Sequence, residues 1–173
     1  MSPVLFSMQH KISTLLYCFD TVGRTLLLRR THAPNAGLWS PCGGKLKTDL
    51  GESPYHCALR ELREETGMVA EEADLHLTGM VSEAAYENAS HWLMFLFEVR
   101  KPFTQLPPPH PEGEFHFFAR EELEDLPLPE TDRRYIWNLF WKYRGGFFAS
   151  HCQTRPDSEL IWHNIETISP QSR

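Results

Sequence analysis

The stretch Gly43-Gly44-Lys45, followed by Glu52-Ser53-Pro54-Tyr55-His56-Cys57-Ala58-Leu59-Arg60-Glu61-Leu62-Arg63-Glu64-Glu65-Thr66-Gly67-Met68, decides how this chain is read. Ser53 ahead of Pro54 is a helix N-cap with proline at the first helical position, where the missing N–H has no partner to lose. Tyr55, Ala58, Leu59 and Leu62 recur at helical spacing until Gly67 stops the run, so the sequence predicts a helix over Pro54–Thr66. Opposite that apolar stripe, Glu61, Glu64 and Glu65 stand at i, i+3 and i+4 and share one face. Like charges so close repel, and partial burial would keep one carboxyl protonated. A divalent cation removes that cost, and ligation by oxygen alone favours magnesium or manganese over zinc or copper. Taken by themselves, the three glutamates read first as a solvated face tempered by Arg60 and Arg63.

Working outward, residues 12–20 and Thr25–Arg30 read as a hairpin about the turn Thr21-Val22-Gly23-Arg24. Residues 31–42, rich in turn formers, lead to Gly43-Gly44, where the backbone can approach a ligand closely. Leu75–Tyr86 and residues 91–100 read as two strands, the second nearly all apolar and so central. Residues 101–111 hold five prolines and cannot be regular structure. Residues 114–118 return as a strand, followed by a short helix at 121–126, a longer one at 131–143, and a last strand pair at 146–152 and 159–165.

A chain of 173 residues is expected to form one domain over 1–173, and 41% hydrophobic with 23% charged residues is the profile of a globular protein. The net charge of −6 disfavours a nucleic-acid partner and suits a holder of metal cations. The longest apolar run, Trp92 to Phe97, has six residues, against roughly 18–20 for a membrane span. Residues 1–10 lack a basic stretch followed by an apolar block. The four cysteines at 18, 42, 57 and 152 show no C-x-x-C spacing, so reduced thiols in a cytoplasmic protein are expected.

The run from Glu52 to Met68 resembles the Nudix box, whose pattern is G, five residues, E, seven residues, then R-E-U-x-E-E-x-G-U with U apolar. By average residue usage, the last nine positions would match by chance in such a chain with probability on the order of 10⁻⁵. One departure stands out: seven residues separate Gly44 from Glu52 where the family has five. The resemblance implies an α+β fold, an α/β/α sandwich about a mixed central sheet. It also implies metal-dependent hydrolysis of nucleoside diphosphates linked to another moiety.

Carried over by position, the implied metal ligands are Glu61, Glu65 and Glu64 with the carbonyl of Gly43. The implied catalytic set is Arg60, Glu61, Glu64 and Glu65, with Arg60 and Glu52 standing behind the ligands rather than on the metal. The implied cofactor is Mg2+ or Mn2+. Relatives that cleave triphosphates draw a further acid from a loop beyond the central strands. Glu112 and Glu114 both stand there, and Glu112 is favoured because it precedes the strand. Substrate contacts are expected from Gly44, Lys45 and one of Arg29 and Arg30, preferably Arg30, since strand alternation sends the two arginines to opposite faces. Asp132, in the segment Pro129-Glu130-Thr131-Asp132, stands where relatives resembling the 8-oxo-dGTP diphosphatases read a purine, although it equally opens a helix. Trp39 and Trp137 are candidates to stack on a base or to fill the core. Tyr86 stands about where dinucleoside polyphosphate hydrolases of the family carry a tyrosine.

The compact length and the sequence beyond Glu112 favour (d)NTPs, oxidised purine forms included, cleaved to monophosphate and pyrophosphate. Dinucleoside polyphosphates, nucleotide sugars and ADP-ribose remain open, as does a sensor that binds nucleotides without cleaving them. The expected partner is a small nucleotide, with no membrane or nucleic acid, in a monomer or homodimer. The proline-rich segment before Glu112 is expected to open and close the site.

Overall fold

The computed structural model describes residues 9–33, 35–86, 90–155 and 159–170. The strands are β1 (His10–Phe19), β2 (Thr25–Arg30), β3 (Trp39–Ser40), β4 (Leu75–Tyr86), β5 (Ser90–Val99), β6 (Gly113–Phe118), β7 (Phe147–Thr154) and β8 (Leu160–Ile168). They run in the order β3-β2-β1-β5-β4-β7-β8, with β6 on the other edge of β2. β1 lies parallel to β5 and β4 parallel to β7, whereas the other pairs are antiparallel, so the sheet is mixed.

Apolar alternation along β1 fixes the layers. Leu16 and Cys18 face α1 (Pro54–Thr66), where Ala58 and Leu62 complete one core with Leu26, Leu28, Phe97 and Val99. Tyr17 and Phe19 point the other way, toward α2 (Trp137–Tyr143), and pack with Leu27, Leu96, Phe140 and Phe148 in a second core. The Tyr17 ring stacks on Phe140 at 4.3 Å and meets Trp137 edge-on at 4.8 Å. The α+β, α/β/α sandwich is therefore present, and Trp137 belongs to its core.

The site grows from a fork in the sheet. Residues 10–17 of β1 pair with β5, while Cys18 and Phe19 pair with β2. On the edge of β1 that β2 leaves uncovered, the chain arriving from β3 supplies the partner. Thr14 N–H donates to the Gly44 carbonyl at 2.9 Å and Leu16 N–H to the Cys42 carbonyl at 2.8 Å. Gly43 and Gly44 are thereby held between the two halves of the sheet.

Several elements differ from the sequence expectation. β3 is only two residues long and carries no periodic signal. The helix expected at 131–143 opens with a π turn over Asp132–Ile136 before α2, and the one at 121–126 is a 3-10 turn over Arg120–Asp125. Residues 101–111 hold no helix or named strand, as five prolines require. Even so, Phe103 is buried and its N–H donates to the Phe19 carbonyl at 2.8 Å. All four cysteines are buried and free. Among the described residues no helix is long and apolar enough to cross a membrane. The side chain of Tyr86 and residues 1–8 lie outside what is described.

Candidate active site

The local frame of α1 follows its sequence closely. Ser53 Oγ accepts from the His56 N–H at 3.1 Å, and Gly67, at φ 75°, closes the far end with its N–H on the Arg63 carbonyl. On the solvent-facing side the Arg60 guanidinium gathers the surrounding oxygens. It donates to both Glu52 carboxylate oxygens at 2.7 and 2.9 Å, to Glu61 at 2.6 Å, to Glu64 at 3.0 Å and to the Lys45 carbonyl at 3.2 Å. Those bonds from Arg60, aided by the Lys47 N–H, hold the Glu52 carboxyl down at about 2.

The longer spacing between Gly44 and Glu52 is absorbed in a 3-10 turn over Thr48–Leu50, ended by Gly51 at φ 65°. Lys47 N–H donates to Glu52 at 2.8 Å, so the detour closes on its own base and the Glu52–Arg60 pair stays in place.

Glu65, one turn beyond Glu61 on α1, reaches the fork. It is 5% exposed and accepts the Gly43 N–H at 2.9 Å. Burial pushes its carboxyl up to about 8, the charges of Glu61 and Glu112 add to the rise, and the Gly43 N–H opposes it. Burial also raises the Glu61 carboxyl against the pull of Arg60. The two glycines of the fork meet different neighbours, backbone at Gly43 and a movable side chain at Gly44. A Cβ on Gly43, at φ 141°, would strike the Thr14 carbonyl, and one on Gly44 would strike the Glu61 carboxylate. Cys42 and Gly44 give their carbonyls to β1, which leaves that of Gly43 outside the ladder.

A cleft of about 520 Å³ opens over the fork and runs along the α2 side of the sheet. Arg30, Gly43, Gly44, Lys45, Arg60, Glu61, Glu112 and Asp132 all line it. Strand alternation separates the two candidate pairs as expected. Arg30 stands in the cleft 3.9 Å from Glu112, and Arg29 lies on the other face 3.8 Å from Glu114. Asp132 also lines the cleft; it is buried in the π turn, and burial pushes its carboxyl up to about 7. Widened turns of this kind re-aim side chains and recur at functional sites.

Trp39 does not join this cleft. β3 turns its indole onto Phe118, edge-on at 4.8 Å, so it serves the core rather than a base. Instead Trp92 and Met94, on one face of β5, line the cleft beside Glu83 of β4. The alternation of residues 92, 94 and 96 could have shown this, but the unbroken apolar run of β5 conceals which face is solvated.

The donor set suits a hard divalent cation, since every candidate ligand is an oxygen and the most buried carboxylate has only one hydrogen-bond donor. Among the described residues no three acidic, histidine or cysteine side chains converge as they stand. The reason is visible: Glu61 turns to Arg60 and Glu65 to Gly43. A cation drawing the two carboxylates together would compete with Arg60 for Glu61. Glu64 is the most solvated of the three, with its side chain 54% exposed.

The model of the Nudix domain matches residues 9–139 of this chain. The chain belongs to the Nudix family. It is 27% identical over 149 residues to the uncharacterized Nudix hydrolase YvcI of Bacillus subtilis, covering 85% of this chain and 89% of that one. Among solved structures, the MutT protein of Bacillus halodurans superposes with a TM-score of 0.70 at 24% identity, covering 90% and 97% of the two chains. A MutT protein from Methanosarcina mazei gives 0.63 at 26% identity, covering 78% and 95%. The Nudix domain of Shewanella oneidensis NrtR, solved with ADP ribose, shares the fold at 17% identity and a TM-score of 0.60, covering 80% and 90%. Nudix membership brings the family's general chemistry, hydrolysis of the pyrophosphate bond in nucleoside diphosphate derivatives with divalent cations.

Proposed function

We propose that this Nudix chain is a Mg2+- or Mn2+-dependent hydrolase of nucleoside triphosphates, oxidised purine forms included, releasing monophosphate and pyrophosphate. The observation that carries the reading is one cleft lined by Glu61, Glu112 and Arg30, with Glu65 buried behind Gly43 and within reach of their charges. Glu61, Glu65 and Glu112, with Glu64 and the Gly43 carbonyl, would hold the cation. When bound, it neutralises the pyrophosphate bridge and lowers the pKa of the attacking water. Arg60, clamped by Glu52, ties Glu61 and Glu64 to one guanidinium. Arg30 and Lys45 present positive charge to the phosphates, and the glycines let the phosphate chain approach the backbone. Asp132, poised between its two protonation states near neutrality, can accept from an N–H or donate to a carbonyl on a purine edge.

A nucleotide sensor of the same fold is disfavoured by retention of all three box glutamates. The test is a comparison of kcat/KM with magnesium for 8-oxo-dGTP, dGTP, a dinucleoside tetraphosphate and ADP-ribose. Triphosphates should lead. A tenfold preference for either of the last two overturns the substrate, and absence of any phosphate product across the panel overturns the reaction.

A further inference from the structure

Two groups not assigned above, Trp92 and Lys11, gather beside Lys45 at the edge of the cleft. The Trp92 ring lies under two ammonium groups, Lys11 Nζ at 5.3 Å and Lys45 Nζ at 5.9 Å from its centroid. The sheet brings them together. Lys11 is the β1 partner of Trp92, and Lys45 bridges to Ser13, one step along the same face. Lys47 lines the cleft next to them.

Of the two arginines lining the cleft, Arg60 is paired with three carboxylates and Arg30 stands 3.9 Å from Glu112. Among the described residues neither Lys11 nor Lys45 has a carboxylate partner, and the indole is what gathers them. An aromatic face offsets a cation only weakly at an exposed position. Two like charges kept this close, in a protein of net charge −6, are therefore poised for an anion.

We propose that Trp92, Lys11 and Lys45 form a subsite for a phosphate beyond the two of the scissile linkage. The inference rests on the reading of this cleft as a nucleotide site. Two sources share that chemistry, the terminal phosphate of a triphosphate and a phosphate ester on the ribose. Trp92 acts as the positioning residue, because its ring holds both lysines at the rim and shields the floor beside Met94.

The test is equilibrium binding by calorimetry with divalent cations chelated, so that no turnover is needed. Two ligand pairs are compared: dATP with dADP, and ADP-ribose 2′-phosphate with ADP-ribose. In the parent protein the member bearing the extra phosphate should bind at least tenfold tighter in one pair, and that pair names the source. Lys11→Met should remove most of that difference while moving the affinity of the other member less than twofold. Trp92→Phe should retain the preference and Trp92→Ala lose it, with circular dichroism unchanged in both.

Equal affinities within both pairs, or a Lys11→Met variant that keeps the parent's preference, would overturn the subsite. Failure to detect binding of either phosphate-bearing ligand overturns it as well. Binding with the expected pattern in a protein that releases no product supports the subsite and sinks the proposed reaction, so the two can fail separately.

Discussion

Replacing Glu65 by glutamine removes charge from a position that resists it. The Glu65 carboxyl is pushed up from 4.5 to about 8, first by burial and then by the neighbouring charges of Glu61 and Glu112. A group whose folded pKa exceeds its unfolded value contributes stability fully below the unfolded value and loses it as pH rises through the folded one. The window here is therefore pH 4.5 to 8. A rise of this size corresponds to about 5 kcal/mol once the group is fully ionised. Side-chain relaxation and water entry should leave about 2–3 kcal/mol of it.

Without divalent cations, Glu65→Gln should thus be more stable than the parent by about 2–3 kcal/mol at pH 8 and nearly equal to it at pH 5. Glutamine keeps an oxygen to accept the Gly43 N–H, so the fork is preserved. Urea unfolding in chelator at pH 5, 6.5 and 8 reads the difference directly, provided the slopes agree. Added magnesium should stabilise the parent and not the variant, reversing their order, while turnover in Glu65→Gln falls at least about a hundredfold. A variant equal to or less stable than the parent at pH 8 in chelator would refute the reasoning, since burial of the charge would then carry no cost.

Three further outcomes are expected. Gly44→Ala should keep the fold, checked by circular dichroism, yet lower kcat by two orders of magnitude, because the new methyl displaces the Glu61 carboxylate. Arg60→Met should cost about 3 kcal/mol in urea unfolding by leaving Glu52 buried without its partner. Asp132→Asn should abolish any limb near pH 7 in the kcat/KM profile, and should stabilise the protein above pH 7, where the parent must ionise a buried carboxyl.

The box helix was legible to the residue, since its cap, stripe and stop are all local signals, and the carboxylate face followed from spacing alone. That Arg29 and Arg30 face opposite ways was also legible, because alternation in a strand is strict. What stayed hidden depended on tertiary placement. Trp39 is kept from the cleft by a two-residue strand that packs it on Phe118, and no periodic signal announces so short an element. The π turn that buries Asp132 looks like an ordinary helix start, because one extra residue in a turn leaves the apolar spacing almost unaltered. The proline-rich segment was correctly read as irregular, but its anchor at Phe103 was not. A single buried aromatic among prolines gives no pattern to read.

The 3-10 detour between Lys47 and Glu52 has a practical consequence. Its two ends are clasped to each other, with Glu52 N–H on the Lys47 carbonyl at 3.3 Å and Lys47 N–H on the Glu52 carboxylate at 2.8 Å. Its tip, Leu50, is 74% exposed. Whatever lies between the clasps extends away from a closed base, and each doubling of such a loop costs only about 0.6 kcal/mol. The tip is thus a natural docking point for grafted cargo. A short epitope or fluorophore-bearing peptide spliced in after Asp49 would ride at that exposed tip while the Glu52–Arg60 pair stays in place.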